Sequence, residues 1–169
     1  FTPELVAAVL TQSKLRTKAA TKLGEFAKRM LFTETGLEQA TRLQVAALHA
    51  GRFRSAGLTR IADLGCGIGA DALAFSALDL VVTAVEHDEV TAAIAAYNLA
   101  PFPSTTVELG DATAFDLSRV DAVYLDPARR TPGHTNTSRF SNPDDFTPSL
   151  TFAFDVATQK PTGVKVGPG

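Results

Sequence analysis

One segment carries the strongest structural signal in this chain: Ile61-Ala62-Asp63-Leu64-Gly65-Cys66-Gly67-Ile68-Gly69-Ala70-Asp71. Its apolar beginning is typical of a buried strand, and three glycines then follow within five residues before a helix-compatible stretch. Glycine suits a tight turn that presses its backbone against a ligand, because it has no Cβ to clash with a positive φ or with the ligand. The segment therefore predicts a strand, a turn and a helix around a nucleotide-like cofactor.

The length and composition are those of an ordinary globular protein. The chain has 169 residues, of which 45% are hydrophobic and 20% charged. No apolar run approaches the roughly 20 residues that a membrane helix needs, so we expect no membrane association. The single cysteine cannot form an internal disulfide, and the first residues lack the basic segment of a secretion signal. These features favour the cytoplasm.

The charges are distributed unevenly along the chain. Residues 1–60 carry ten Lys/Arg and four Glu, whereas residues 61–169 carry six basic and fourteen acidic residues. A basic N-terminal third on an acidic body is what a segment that docks on a polyanion such as RNA would show. An ordinary solvated helix surface explains the same charges, so charge alone leaves both interpretations open.

The hydrophobic pattern divides the chain into two parts. Helical spacing over residues 4–29 and from about 37 to 53 predicts an N-terminal helical extension covering residues 1–57. The remaining part, residues 58–169, alternates short apolar runs with helical stretches. This alternation predicts an α/β fold, a Rossmann-like, doubly wound and mainly parallel sheet with right-handed crossovers. We expect strands near 60–64, 81–86, 105–109, 121–125 and 162–166, helices near 69–78 and 89–99, and a functional loop over 131–149.

Carboxylates around the glycine turn indicate which cofactor it binds. Gly65, Gly67 and Ala70 formally satisfy the dinucleotide fingerprint, so an NAD-type oxidoreductase has to be weighed. Asp63, two residues before the first glycine, is placed to reach the methionine part of S-adenosylmethionine or a water bound to it, although it could instead only cap the following turn. Glu86, 21 residues after Gly65 at the end of the second strand, is placed to accept both ribose hydroxyls. These two positions favour S-adenosylmethionine.

The ends of the third and fourth strands support the same choice. Asp111, in Gly110-Asp111-Ala112, can accept the adenine amino group. The fourth strand ends in Asp126-Pro127-Ala128-Arg129-Arg130, a polar cluster at the crevice where the strand order reverses. Such a cluster faces a substrate beside the cofactor, and a dehydrogenase has no need of it. The pattern therefore favours a methyltransferase.

The expected site follows from these positions. We expect no metal. A small Cys66 suits the packing of the turn better than it suits a nucleophile, and the His87 ring is either solvated or covers the adenine. Gln39 and Thr41 are expected at the mouth of the cofactor site, beneath a basic rim from the second helix. The predicted cofactor-binding residues are Asp63, Leu64, Gly65, Cys66, Gly67, Gly69, Asp71, Glu86, His87, Asp111, Ala112 and Asp126.

With these motifs assembled, the chain resembles class I (Rossmann-type) methyltransferases. More narrowly, it resembles bacterial methyltransferases with a C-terminal THUMP-like domain, and more distantly trimethylguanosine synthase. The narrow resemblance covers about residues 31–169 and implies that an RNA-binding THUMP-like domain and the last strands of the sheet lie beyond Gly169. It rests on Phe32-Thr33, Glu38-Gln39-Ala40-Thr41, the glycine turn, Asp126-Pro127-Ala128-Arg129-Arg130 and Val164-Lys165-Val166-Gly167-Pro168-Gly169.

Two departures narrow the chemistry. Many base-amine methyltransferases end the fourth strand in Asp/Asn-Pro-Pro-aromatic, whereas Ala128 and Arg129 stand here, and the chain has no Trp for a cap-binding sandwich. Uracil carbon-5 methyltransferases show a similar Asp-Pro-Ala-Arg run but need a cysteine near the following strand, and residues 164–169 contain none.

These observations predict transfer of a methyl group to a nitrogen of an RNA base. We expect Asp126, helped by the Pro127 carbonyl, to orient the nucleophilic amine. Arg129 and Arg130 are expected either to stack on a base or clamp a phosphate, or to anchor the loop through salt bridges. A small-molecule N- or O-methyltransferase and a catalytically silent cofactor-binding module are the alternatives.

Overall fold

A five-stranded parallel sheet forms the centre of the computed structural model, which describes residues 1–129 and 146–166. Its strand order is β3-β2-β1-β4-β7. A separate antiparallel pair, β5 with β6, lies after the fourth strand. The strands are β1 Arg60–Leu64, β2 Val81–Glu86, β3 Thr105–Leu109, β4 Ala122–Leu125, β5 Ala128–Arg129, β6 Phe146–Thr147 and β7 Thr162–Val164.

This sheet confirms the predicted Rossmann-like α/β fold. The first three predicted strands match to the residue, β4 begins one residue later than expected, and β7 is shorter than predicted. Since β2 and β4 lie on opposite sides of β1, the strand order reverses at β1. A parallel sheet with this topology has a ligand crevice at the carboxyl ends of β1 and β4.

Six α-helices accompany the sheet in the described residues: α1 Pro3–Leu23, α2 Glu34–Gln39, α3 Leu43–Ser55, α4 Ala70–Ala77, α5 Glu89–Leu99 and α6 Leu150–Ala157. Short 3₁₀ helices occupy Gly24–Lys28, Ala112–Ala114 and Leu117–Arg119. Within the described ranges, no helix combines the length and apolar character that crossing a membrane requires.

Local sequence explains where the helices begin and end. Asp88 caps α5 by accepting a hydrogen bond from the Thr91 N–H at 2.8 Å. The helix predicted over residues 4–29 leaves the α-helical path after Leu23, because Gly24 adopts a φ of +56°. The helix predicted over 37–53 is two helices. Thr33 caps the first by accepting from the Gly36 N–H at 2.9 Å, and residues 40–42 separate them with extended backbone at Ala40 and Arg42.

One helix escaped the sequence analysis. Ser149 caps α6 through its side-chain oxygen, which accepts from the Phe152 N–H at 3.1 Å. Ala153 and Val156 lie buried on the inner face of this helix. The cap and the spacing of these apolar residues were the available signals. Of the predicted loop 131–149, residues 131–145 lie outside the described residues, and its end forms β6 and the cap of α6.

The two faces of the sheet are covered by different helices. On one face, α1, α3 and α4 share a single apolar core with β1 and β4, including Leu23, Phe53, Phe75 and Tyr124. On the other face, α6 packs its Ala153 and Val156 against strand residues that point away from the first core. Successive residues of a strand point to opposite faces, so Asp63 and Tyr124 lie on the α4 face of neighbouring strands.

Candidate functional site: a cavity at the carboxyl ends of the strands

A cavity of about 840 Å³ lies at the carboxyl ends of β1, β2 and β4. It is lined by all the predicted cofactor-binding residues except two. Leu64 is fully buried in the second core. Gly69 is the N-cap of α4, where an added Cβ would come within 3.1 Å of Leu99 Cδ1. The lining residues from the prediction are Asp63, Gly65, Cys66, Gly67, Asp71, Glu86, His87, Asp111, Ala112 and Asp126.

The glycine turn is held in place by neighbouring backbone. Gly65 and Gly67 have φ values of +86° and +56°, which L-residues with side chains rarely adopt. The N–H groups of Gly65 and Cys66 both donate to the Val85 carbonyl, at 2.9 and 3.0 Å. The turn is therefore pinned to the end of β2 and presents little side-chain bulk to the cavity.

Glu86 accepts hydrogen bonds from three backbone N–H groups on this side of the cavity. Its side chain is buried, and its Oε1 accepts from the N–H groups of His87 and Asp88, both at 2.9 Å. Its Oε2 accepts from the Gly67 N–H at 3.0 Å. Backbone N–H groups bind a carboxylate strongly because the acceptor is charged. Oε2 keeps acceptor capacity for a ligand hydroxyl, since this is its one hydrogen bond among the described residues.

Asp63 places an unpaired acceptor in the cavity. The residue is 1% exposed, and its Oδ2 has no hydrogen-bond partner in the part of the chain that the structure describes. Burial, together with the neighbouring Asp71 and Asp126 carboxylates, raises the pKa of Asp63 well above its usual range, although a hydrogen bond from the Ala72 backbone opposes the shift. A buried acceptor without a partner implies that a ligand or water supplies the donor.

The end of the third strand contributes an exposed carboxylate. Asp111 Oδ1 accepts from the N–H and the hydroxyl of Thr113, both at 2.8 Å, and these bonds hold the pKa of Asp111 below its usual range. Its other oxygen makes no hydrogen bond among the described residues. The His87 side chain is 72% exposed, and its Nδ1 lies 2.9 Å from Glu86 Oε1. Both Asp111 and His87 line the cavity, so either can contact a ligand there.

Cys66 lines the cavity without the properties of a nucleophile. Burial raises the pKa of the Cys66 thiol well above its usual range, and the nearby carboxylates of Asp63 and Glu86 raise it further. A nucleophilic cysteine reacts as a thiolate and needs a lowered pKa. The arrangement supports the expectation that Cys66 serves the packing of the turn.

The opposite wall of the cavity is a chain of side-chain hydrogen bonds. Asp126, directly after β4, forms an ion pair with Lys165, directly after β7. Lys165 Nζ also donates to Thr41 Oγ1 at 2.9 Å, and the Thr41 hydroxyl donates to Asp71 Oδ2 at 2.5 Å. Tyr124 donates to Asp71 Oδ1 at 3.1 Å. Asp71, predicted to bind the cofactor, thus has both oxygens engaged by the protein and also holds this wall together.

Sequence reasoning missed several residues of this hydrogen-bond network. Lys165 appeared only within the predicted fifth strand and a family motif. No local pattern marked Tyr124 or His49, whose Nδ1 lies 2.9 Å from the Tyr124 hydroxyl. Gln39 and Thr41 do line the cavity, but Thr41 lies in the break between α2 and α3. Thr147, Pro148 and Ser149 line it as well, at the end of the predicted functional loop.

The remaining predicted residues are placed less directly. Pro127 is buried and does not line the cavity. Arg129 pairs through its backbone with Phe146, and its side chain, like the whole of Arg130, lies outside the described residues. Among the residues described, no group of three or more His, Cys, Asp or Glu side chains is arranged to hold a metal ion.

Solved structures, rather than sequence families, resemble this chain. No family model and no curated protein matches it. A "putative methyltransferase" from Porphyromonas gingivalis W83 matches over 92% of this chain and 40% of its own, with 24% identity and a TM-score of 0.66. The "putative RNA methyltransferase PH1948" from Pyrococcus horikoshii matches over 69% of this chain and 60% of its own, with 28% identity and a TM-score of 0.51.

A third structure holds a cofactor. The S-adenosylmethionine-bound amino pentose methyltransferase CalS10 from Micromonospora echinaspora is 33% identical over 48% of this chain and 35% of its own, with a TM-score of 0.43. The chain therefore spans less than two thirds of the length of each of these structures. The fold is that of Rossmann-like methyltransferases.

Proposed function

We propose that this chain is an S-adenosylmethionine-dependent methyltransferase that transfers a methyl group to a nitrogen of an RNA base. One observation carries the proposal. A single cavity at the reversal of strand order contains both the glycine turn with its unpaired Asp63 acceptor and the Asp126 carboxylate of the fourth strand. This arrangement suits a bound cofactor and a substrate amine side by side.

The residues present fit the cofactor. S-adenosylmethionine offers donors along its length: an ammonium group, two ribose hydroxyls and the adenine amino group. The cavity offers matching acceptors in Asp63 Oδ2, Glu86 Oε2 and the second oxygen of Asp111. The turn from Gly65 to Gly67 lets the cofactor approach the backbone closely. When bound, the cofactor supplies a methyl group already activated on a positively charged sulfur.

Asp126 is the residue that acts on the substrate. Its Oδ1 makes no hydrogen bond within the described residues, so it is available to a donor in the cavity. It accepts a hydrogen bond from the substrate amine, which orients the nitrogen lone pair and stabilises the positive charge that develops on nitrogen. Such alignment can offset up to about 7–11 kcal/mol of the barrier. Pro127, whose φ is fixed by its ring, stabilises the turn that presents Asp126.

The RNA assignment rests on charge and on likeness. Residues 1–60 carry ten Lys/Arg against four Glu, the balance that a segment docking on a polyanion would show. One similar solved structure is named a "putative RNA methyltransferase". We extend the proposal to a THUMP-like RNA-binding partner domain, to a cytoplasmic site of action, and to Arg129 and Arg130 as RNA contacts.

Replacing Asp126 tests the transfer step. In the full-length protein, Asp126→Ala should bind S-adenosylmethionine as tightly as the wild type in calorimetry while losing labelled methyl transfer to total RNA. Asp155→Ala, which alters an exposed carboxylate on α6, is the matched control and should remain active. Activity of the Asp126 variant comparable to wild type would refute its role. Transfer to small amines but not to RNA would favour a small-molecule enzyme, and binding without transfer a silent module.

The two arginines test the substrate. Replacing Arg129 and Arg130 together by alanine should weaken RNA binding and reduce its salt dependence. The slope of log K against log salt is negative, and for a single strand its magnitude falls by about 0.7 for each phosphate that the variant no longer neutralises. The measurement is a filter-binding titration over a range of salt concentrations. An unchanged slope would show that the pair anchors the loop and does not contact RNA.

A further inference from the structure

Lys165 joins three parts of the chain that are distant in sequence. It follows β7, its side chain is 28% exposed, and its Nζ forms the ion pair with Asp126 Oδ2. The same Nζ donates to Thr41 Oγ1 at 2.9 Å, across 124 positions of sequence. Thr41 is 4% exposed and lies in the break between α2 and α3. The ammonium group is thus held at two points on the wall of the cavity.

The hydrogen bonds that Asp71 accepts fix the direction of the bond between Lys165 and Thr41. Both oxygens of Asp71 act as acceptors, one for the Thr41 hydroxyl and one for the Tyr124 hydroxyl. Because Thr41 donates its only side-chain hydrogen to Asp71, its oxygen can serve Lys165 only as an acceptor. Lys165 must then donate to both Thr41 and Asp126. A flexible lysine stem is restricted by this second contact.

We propose that Lys165 is a positioning residue, which fixes the Asp126 carboxylate through Oδ2 and leaves Oδ1 for the substrate amine, and that Thr41 anchors Lys165. This inference rests on the proposed function, because it assigns Asp126 the role given above. It brings the segment between α2 and α3, part of the N-terminal helical region, into the reacting side of the cavity.

The charges around Asp126 explain why it needs a cation. Burial raises the pKa of Asp126, Lys165 opposes that rise most strongly, and His49 on α3 opposes it as well. Asp71 on α4 raises it, and Asp126 in turn raises the pKa of Asp63 on β1 and of Tyr124 on β4. Asp126 can accept N–H donors at both oxygens only while it is ionised. Loss of Lys165 would raise the pKa of Asp126, so the carboxylate would become protonated at a higher pH.

The principal test replaces Lys165 by methionine in the full-length protein. Lys165→Met should lower kcat by about 10- to 100-fold, the cost of a hydrogen bond to a charged group. It should leave the dissociation constant of S-adenosylmethionine within about twofold of wild type, since the cofactor is held on the other side of the cavity. The acid limb of the rate profile should move up by at least about one pH unit. Lys160→Met is the control, because Lys160 donates to the Val120 carbonyl away from the cavity.

A second pair of variants separates positioning from charge. Thr41→Val removes the anchor but keeps the Lys165 cation, so kcat should fall while the acid limb moves less than in Lys165→Met. Thr41→Ser keeps a hydroxyl at the same position and should restore most of the loss. Thermal unfolding of each variant checks that it folds. If Lys165→Met does not fold, Thr41→Val and Thr41→Ser still test the proposal.

An activity-independent measurement completes the test. A carbon-13 titration of the Asp126 carboxyl in the protein without substrate should show its midpoint rising by at least about one pH unit in Lys165→Met. Unchanged kcat and midpoint would overturn the inference, as would a loss of cofactor affinity in place of the kcat effect. A wild-type protein that methylates no acceptor would instead refute the proposed function. In that case the titration would still measure whether Lys165 stabilises the ionised form of Asp126.

Discussion

The two sides of the cavity hold their carboxylates in different ways. On the β1–β2 side, Glu86 accepts three backbone N–H groups, which the glycine turn and the start of α5 present to it. On the β4–β7 side, Asp126 is held by the side chain of Lys165, and Lys165 by that of Thr41. Backbone donors follow from the path of the chain, whereas side-chain donors depend on individual residues. The β1–β2 side therefore suits a ligand that is always the same molecule. On the β4–β7 side, single substitutions can adapt the site to a particular substrate.

The largest effect on the backbone-held side is expected from Glu86→Gln. Both oxygens of Glu86 accept N–H groups, so an amide nitrogen in place of either leaves at least one backbone donor facing another donor. The free energy of unfolding should fall by about 1–3 kcal/mol. The dissociation constant of S-adenosylmethionine should rise by about tenfold or more, measured by calorimetry. Glu25→Gln, on an 86% exposed side chain, is the control. Unchanged affinity would show that Glu86 does not shape the cofactor site.

A smaller effect is expected from Asp63→Asn in the protein without ligand. Here the substitution should raise the free energy of unfolding, whereas Glu86→Gln lowers it. The folded pKa of Asp63 is raised above its ordinary value of 3.8, so the native state keeps a proton that the unfolded state has released. Wild-type stability therefore falls as pH rises from the ordinary to the raised pKa, by about 1.4 kcal/mol for each unit of the rise. The variant lacks this loss, while its cofactor affinity should fall because an amide cannot carry the negative charge that pairs with the cofactor's ammonium group.

Urea unfolding of the two proteins at several pH values measures the difference. The stability of Asp63→Asn relative to wild type should increase with pH and then level off. Asp155→Asn, on the exposed face of α6, should show no such trend. A difference that is constant with pH would mean that ionisation of Asp63 does not destabilise the folded protein.

The smallest effect is expected from His87→Ala. The His87 side chain is 72% exposed and contributes one contact to Glu86, which keeps its three backbone donors in the variant. Exposed pairs of this kind contribute about 0–1 kcal/mol, so cofactor affinity should change by less than about fivefold. A larger loss of affinity, without a matching loss of stability, would contradict this expectation and indicate that the ring covers the adenine.

The two sides of the cavity also differ in how far the sequence predicts them. The β1–β2 side was accessible because each of its parts is local: an apolar run, closely spaced glycines, and an acid at the end of the next strand. The one large omission among local elements was α6, whose Ser149 cap lies at the end of a Pro/Ser/Thr/Asn-rich segment. That composition masked a short apolar helix.

Boundaries were less predictable than elements. Apolar residues continue at helical spacing through residues 40–42, yet the chain there is extended and places Thr41 at the cavity. The spacing of apolar residues indicates which side of a segment faces the core. Two short helices in succession produce the same spacing as one long helix. The break is stabilised by contacts from elsewhere, among them Lys22, whose Nζ donates to the carbonyls of Leu37, Glu38 and Ala40.

Local order along the chain was enough to specify a parallel α/β sheet, its glycine turn and the acids at its strand ends, because burial periodicity and turn chemistry act between near neighbours. The wall of Asp126, Lys165, Thr41 and Asp71 required the folded molecule. Two of its members follow β4 and β7, one lies in the α2–α3 break and one on α4, and no periodicity relates them. Their meeting depends on the strand order, which places β7 beside β4, and on the packing of the N-terminal helices over the same face of the sheet.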